Sequence, residues 1–176
     1  MYNDTHLALS DKIKVKKVFK QSDIDTVYEL AKNIWSEHFT PIIGKAQVDY
    51  MLKNYHSKKI IQNQLRNNCH YFLISHDSNS CGYCSIEFNS IENTVFLDKL
   101  YISKRFRRKG IASLILNFFI DKSTVRGVGI MSLKVNKNNT SAINFYKQQG
   151  FVITKSISIS IGDGFVMDDY VMEIRF

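Results

Sequence analysis

The sequence predicts a mixed α/β (α+β) fold: a mostly antiparallel, seven-stranded sheet flanked by helices and ending in a C-terminal β-hairpin. Three observations carry this prediction. Residues 71–102 hold three successive strand-like runs separated by turn-rich segments, the pattern of an antiparallel meander. From Thr94 to Gln149 the order is strand, helix, strand, helix, which implies a parallel crossover. From Phe151 to Phe176 two alternating runs flank Ile161–Gly162–Asp163–Gly164, a strong hairpin signal.

Each element has its own local reason. Ile13–Phe19 sets Ile, Val and Phe among lysines at near-alternate positions and reads as a strand with one wet face. Ser22 offers an N-cap with Asp25 three residues on, and Ile24, Val27, Tyr28, Ala31, Ile34 and Trp35 follow at helical spacing to about Glu37. Between Gln47 and Asn67 periodic apolar residues suggest one or two short helices. Tyr71–Ile74, Cys81–Phe88 and Thr94–Ile102 are the meander strands. After Gly110, residues Ile111, Leu114, Ile115 and Phe118 define a helix ending near Lys122. Gly127–Val135 alternates as a strand, and Thr140–Gln149 is a helix closed by Gly150 at a left-handed C-cap position.

At 176 residues with 44% hydrophobic content, the chain has material for one good core, and a single proline with eight glycines marks no linker, so one domain over 1–176 is expected. The polar start Met1–Asp11 lacks the order of a secretory signal and the apolar runs are short, which predicts a cytoplasmic protein without a membrane partner. Three cysteines are too few for a disulfide framework. Cys81–Gly82–Tyr83–Cys84 has CxxC spacing, but no second pair accompanies it and strand alternation sends the two thiols to opposite faces, so no metal is expected.

Twenty-four Lys and Arg against 16 Asp and Glu give a formal charge of +8, which favours anionic ligands. The basic run Lys104, Arg105, Arg107, Arg108, Lys109 falls between a strand and a helix, with Gly110 at the helix's first turn. Helix N-termini present unpaired N–H groups and a partial positive charge, so this arrangement reads as an anion site. The P-loop order and the GxGxxG spacing are both missing, which disfavours nucleoside triphosphates and NAD.

Arg107–Arg108–Lys109–Gly110–Ile111–Ala112 fits [RQ]-x-x-G-x-[GA], and Asn139 through Phe151 fits N-x-x-A-x-x-[FL]-Y-x-x-x-G-F, in order and at the usual distance. On these two motifs the chain resembles the GNAT superfamily of acetyl-CoA-dependent N-acetyltransferases. The resemblance implies that the fourth and fifth strands form a parallel pair that splays apart, with acetyl-CoA as cosubstrate in the gap. It implies that Tyr101 and Ile102 pair their backbone with the pantetheine arm and that Arg107, Arg108, Lys109, Gly110, Ile111 and Ala112 hold the pyrophosphate. It further implies that Asn139 hydrogen-bonds the arm, and that Tyr146 is the catalytic general acid toward the departing thiolate.

The general base is left among Glu87, Asp98, His38 and water. Asp163, Asp168 and Asp169 around the hairpin are secondary candidates for a cationic acceptor, although hairpin aspartates are ordinarily turn formers. The expected reaction is direct attack of a primary amine, from a small molecule or peptide, on acetyl-CoA in a ternary complex. The expected assembly is a monomer or homodimer. The alternatives are a non-catalytic acyl-CoA-binding regulator of the same fold and a basic nucleic-acid-binding module, the latter disfavoured by the second motif.

Overall fold

The computed structural model describes residues 6–176; residues 1–5 of the polar start lie outside the described residues. One mixed sheet of eight strands organises the chain, in the order β1-β2-β3-β4-β5-β6-β8-β7. The strands are β1 (His6–Ala8), β2 (Ile13–Lys17), β3 (His70–His76), β4 (Asn79–Asn89), β5 (Thr94–Ile102), β6 (Ile130–Asn136), β7 (Val152–Gly162) and β8 (Phe165–Arg175). The predicted seven are all present. The eighth is the three-residue β1, which pairs antiparallel with β2 and is too short to show a period in the sequence.

Among the described residues, six helices cover the two faces: α1 (Gln21–His38), α2 (Thr40–Ile43), α3 (Lys45–Asn54), α4 (Lys58–Arg66), α5 (Ile111–Thr124) and α6 (Thr140–Gln148). Strand alternation sorts the core between them. In β3, Tyr71 and Leu73 pack with Val27, Ala31 and Ile34 of α1, whereas Phe72 and Ile74 pack with Ile115 and Phe119 of α5. A strand buried on both faces reads as a continuous apolar run, and Tyr71–Ile74 is one.

Helix α1 is capped two residues before the predicted Ser22. Its N-cap is Lys20, and the Asp23 carboxylate reaches back to accept from the backbone N–H of Lys20 (3.3 Å) and Phe19 (3.4 Å) while pairing with Lys16. Burial raises the Asp23 carboxyl, but these hydrogen bonds outweigh it and hold the group below its ordinary value.

Two bulges shape the centre of the sheet. Ile74 pairs with Gly82 and Ser75 with Ser80, which leaves Cys81 as the extra residue. The bulge resets the alternation, so Cys81 and Cys84 enter the same core cluster instead of facing opposite ways. On β5, Ser85 pairs with Lys99 and Ile86 with Leu97, so Asp98 is extra. Leu97 is also the last β5 residue paired with β6, in the parallel register Thr94↔Ile130 to Leu97↔Leu133. Past it, β5 continues along β4 to Ile102 and β6 continues along β8 to Asn136, so the two parallel strands part from each other.

Candidate active site

The gap between β5 and β6 is the floor of a cleft of about 990 Å³, lined by residues 96–102 of β5, 134–136 of β6, the turn before α5 and one side of α6 from Ser141 to Gln148. After β5 the chain makes a 3-10 turn, Lys104–Phe106, and enters α5 through Arg108 (φ 61°) and Gly110 (φ 75°), both left-handed. The first helical bond of α5 is Leu114 N–H to Gly110 C=O. The N–H groups of Arg108 to Ser113 therefore donate to no acceptor among the described residues. Six successive free donors around a left-handed turn and a helix N-terminus form a concave anion cradle.

The side chains of the basic run do different work from the backbone. Arg108 and Lys109 are exposed, and the Lys109 ammonium lies 5.5 Å from the Phe106 ring centroid, outside the cleft lining. Arg107 turns inward, where its Nε donates to the Ile102 carbonyl (2.8 Å) and its Nη1 to His38 Nδ1 (3.2 Å). Ile111 is buried in the core, and the half-buried Ala112 and Ser113 reach the cleft.

At the end of β5 the backbone alternates in direction. A Cβ added at Gly82 on β4 would collide with the Tyr101 carbonyl oxygen, so that carbonyl points at β4. The neighbouring Ile102 carbonyl faces the other way, toward Arg107. Of the predicted pair, Ile102 thus presents its backbone to the cleft, with Leu100 two residues earlier, while Tyr101 contributes its ring.

Asn139 is the N-cap of α6; its Oδ1 accepts from Ala142 N–H (3.3 Å) and Ser141 Oγ (3.1 Å). His38 at the end of α1 meets the α5 turn through Arg107. Burial and the Arg107 charge lower its pKa, partly offset by Asn139 and Glu37, so the ring is neutral at pH 7 and accepts from Arg107. Tyr146 is 9% exposed and lines the cleft, packed on Phe145 and Phe151, and burial pushes its phenol up, keeping it a proton donor.

Of the base candidates, His38 and Asp98 line the cleft and Glu87 does not. Asp98 is engaged by the Lys99 ammonium and the Ser85 hydroxyl (3.2 Å). Glu87 groups with Cys69 and Asp98, their donor atoms within 4.8 Å of one another. Burial, with Asp98 beside it, pushes the Cys69 thiol up to about 12, and Lys99 already holds Asp98, a set unsuited to a divalent cation. The sequence motifs did not mark Lys99 and His56, both under 7% exposed and both lining the cleft. The Asp98–Lys99 pair inside an apolar strand was a usable signal, whereas nothing around His56 marked its burial against Trp35 (4.4 Å between centroids).

The sequence model of the acetyltransferase (GNAT) family matches residues 25–151. The chain belongs to this family. Among curated GNAT relatives, GCN5-related N-acetyltransferase 6, chloroplastic, of Arabidopsis thaliana is 31% identical over 74 residues, 42% of this chain and 26% of that protein. An uncharacterized N-acetyltransferase of Methanocaldococcus jannaschii is 28% identical over 86 residues, 46% and 38% of the respective chains. The matches thus span about a quarter to two fifths of those relatives' length. Among solved structures, the PaiA N-acetyltransferase from Thermoplasma acidophilum in complex with coenzyme A has a TM-score of 0.77 at 21% identity, covering 93% of this chain and 99% of that one. That likeness shows the GNAT fold.

Proposed function

We propose that the chain is a single N-acetyltransferase domain, working in the cytoplasm, that transfers acetyl from acetyl-CoA to a primary amine by direct attack in a ternary complex. The observation that carries this reading is the row of free N–H donors at Arg108–Ser113, opening onto the same cleft as the parted strands and Tyr146. The donors fit a pyrophosphate without help from a metal, because backbone amides and a helix terminus supply the complementary charge.

The backbone edges of Leu100 and Ile102 bind the pantetheine arm as a neighbouring strand would. Arg107 holds the end of β5 to the turn through Ile102, and Asn139 fixes the start of α6 so that Tyr146, two turns on, faces the reacting centre. A free N–H of β5 stabilises the charge that develops on the carbonyl oxygen as the amine attacks. The Tyr146 phenol gives its proton to the departing thiolate. Direct attack is favoured because none of the three cysteines lines the cleft and burial raises all three thiols, that of Cys81 to about 11. Among the described residues, no helix is long and apolar enough to cross a membrane.

The test is release of free coenzyme A from acetyl-CoA across a panel of primary amines. Amine-dependent release with sequential kinetics is expected; cofactor binding without turnover for any amine would overturn the enzymatic reading, and a ping-pong pattern the direct-attack reading.

A further inference from the structure

The cleft extends past Tyr146 to the C-terminal hairpin, where Met167 and Asp169 project from one face of β8. Asp169 is 7% exposed, yet among the described residues no hydrogen bond or ion pair reaches its carboxylate. Its neighbour Asp168, on the opposite face, is paired with Lys137. The Asp169 carboxylate faces the cleft with no cation in contact among the described residues, and a ligand cation completes it. Burial raises its pKa, with Lys134 and Lys137 pulling it back and Asp168 adding to the rise.

Three rings wall the same end. Trp35 stacks on Phe39 at 4.2 Å between centroids, and Tyr101 stands edge-on to Trp35 (5.9 Å) and Phe39 (6.0 Å). Met167, two residues before Asp169 on β8, packs with Tyr101 against the cluster that holds Trp35 and Phe39, which sets Asp169 beside the ring-lined end.

This end is also bridged over. Gln47 on α3 donates to the Val166 carbonyl (2.8 Å), the Tyr50 hydroxyl donates to the Ile161 carbonyl, and the Tyr50 and Phe165 rings meet at 5.1 Å. Helix α3 and the hairpin are thus clasped together at this end of the cleft.

We propose that this end of the cleft is the acceptor subsite for a small monocationic primary amine with an apolar body, the ammonium on Asp169, whose carboxylate takes one of its protons before the freed amine attacks the thioester, and the body against Trp35, Phe39 and Tyr101. The proposal rests on the acetyltransferase reading for its purpose, but its test reads binding directly.

The protein is titrated with 2-phenylethylamine and with its neutral counterpart 2-phenylethanol, with and without saturating coenzyme A, followed by calorimetry. Saturable amine binding is expected, at least tenfold tighter than the alcohol. Asp169→Asn should weaken the amine at least tenfold while leaving the alcohol and coenzyme A within twofold. Asp168→Asn should leave all three within twofold. Equal affinity of amine and alcohol, no saturable amine binding, or full amine affinity in Asp169→Asn overturns the proposal. So does faster acetylation of a free-N-terminal decapeptide than of the amine. Failure to bind coenzyme A would count against the acetyltransferase reading alone, because the titration of the free protein still decides the role of Asp169.

Discussion

Replacing Gly110 by alanine separates backbone strain from ligand recognition. Gly110 sits at φ 75°, and a Cβ added there meets no atom within 4 Å, so the substitution costs conformational energy without a clash. Holding an alanine in the left-handed region costs about 1–2 kcal/mol. For a chain of this size that lowers Tm by about 2–8 °C. Gly127, between α5 and β6, is a matched control, with φ 74° and equally open space but no part in the cleft lining. The two variants should lose stability alike and differ in acetyl-CoA affinity. At Gly110 the new methyl group stands in the middle of the free N–H row, where a phosphate has to sit. Losing one charge-assisted hydrogen bond is worth about 1.5–3 kcal/mol, about 10- to 150-fold in Kd. Calorimetric titration with acetyl-CoA, paired with thermal melts, reads both quantities. Equal Kd values for Gly110→Ala and Gly127→Ala would refute the assignment of the cradle.

Three further outcomes follow from the same geometry. Tyr146→Phe should lower kcat by about 10²-fold or more while both KM values stay within twofold, measured by thiol release, because only the proton donor is removed. His56 is buried with a pKa well below its ordinary value, through burial and then the Lys99 charge, so the unfolded chain takes up a proton that the folded one refuses. Stability is therefore lost as pH falls below about 6.5, by up to about 1.4 kcal/mol per pH unit per group. Urea denaturation from pH 7.5 to 5 should show this slope, and His56→Phe should reduce it, leaving the smaller shares of His38 and His70. Asp23→Ala should cost about 1–2 kcal/mol by urea denaturation, and Asp23→Asn, which keeps an acceptor for the cap, should cost less than half of that.

What the sequence revealed follows from how far each signal reaches along the chain. The meander, the α5 crossover and the hairpin depend on periods of two or 3.6 within single segments, so Tyr71–Ile74, Ile111–Phe118 and Ile161–Gly164 were readable. The start of α1 was misplaced because its capping group is Asp23, acting three residues back on Lys20, where Ser22 looked the better cap by residue type. The facing of Cys81 and Cys84 was misread because a bulge is a property of two strands, and β4 alone carries no sign of it. The cradle residues were legible from the motif, but the division of labour among them was not: Arg107 serves Ile102 and His38, and the donors are amides. Asp169 differs from Asp168 only by what lies across from it, which no spacing records.

The bulge at Asp98 connects these observations. If β5 and β6 stayed paired to their ends, every N–H along Asp98–Ile102 would have an acceptor and the sheet would hold no cleft. The extra residue adds twist to β5 just where pairing with β6 stops, and Asp98 then takes the ammonium of Lys99, which packs 5.4 Å from the Tyr71 ring centroid. Lys99 is buried against Tyr71, so a slip back into register that broke the pair would leave its ammonium buried without a partner. Meanwhile β8 holds β6 in the sheet through Asn136↔Asp169, which delivers the unpaired carboxylate to the far lip of the opening. One bulge thus frees the backbone edge on one side of the cleft, and the antiparallel partner of β6 brings the acceptor-side charge to the other.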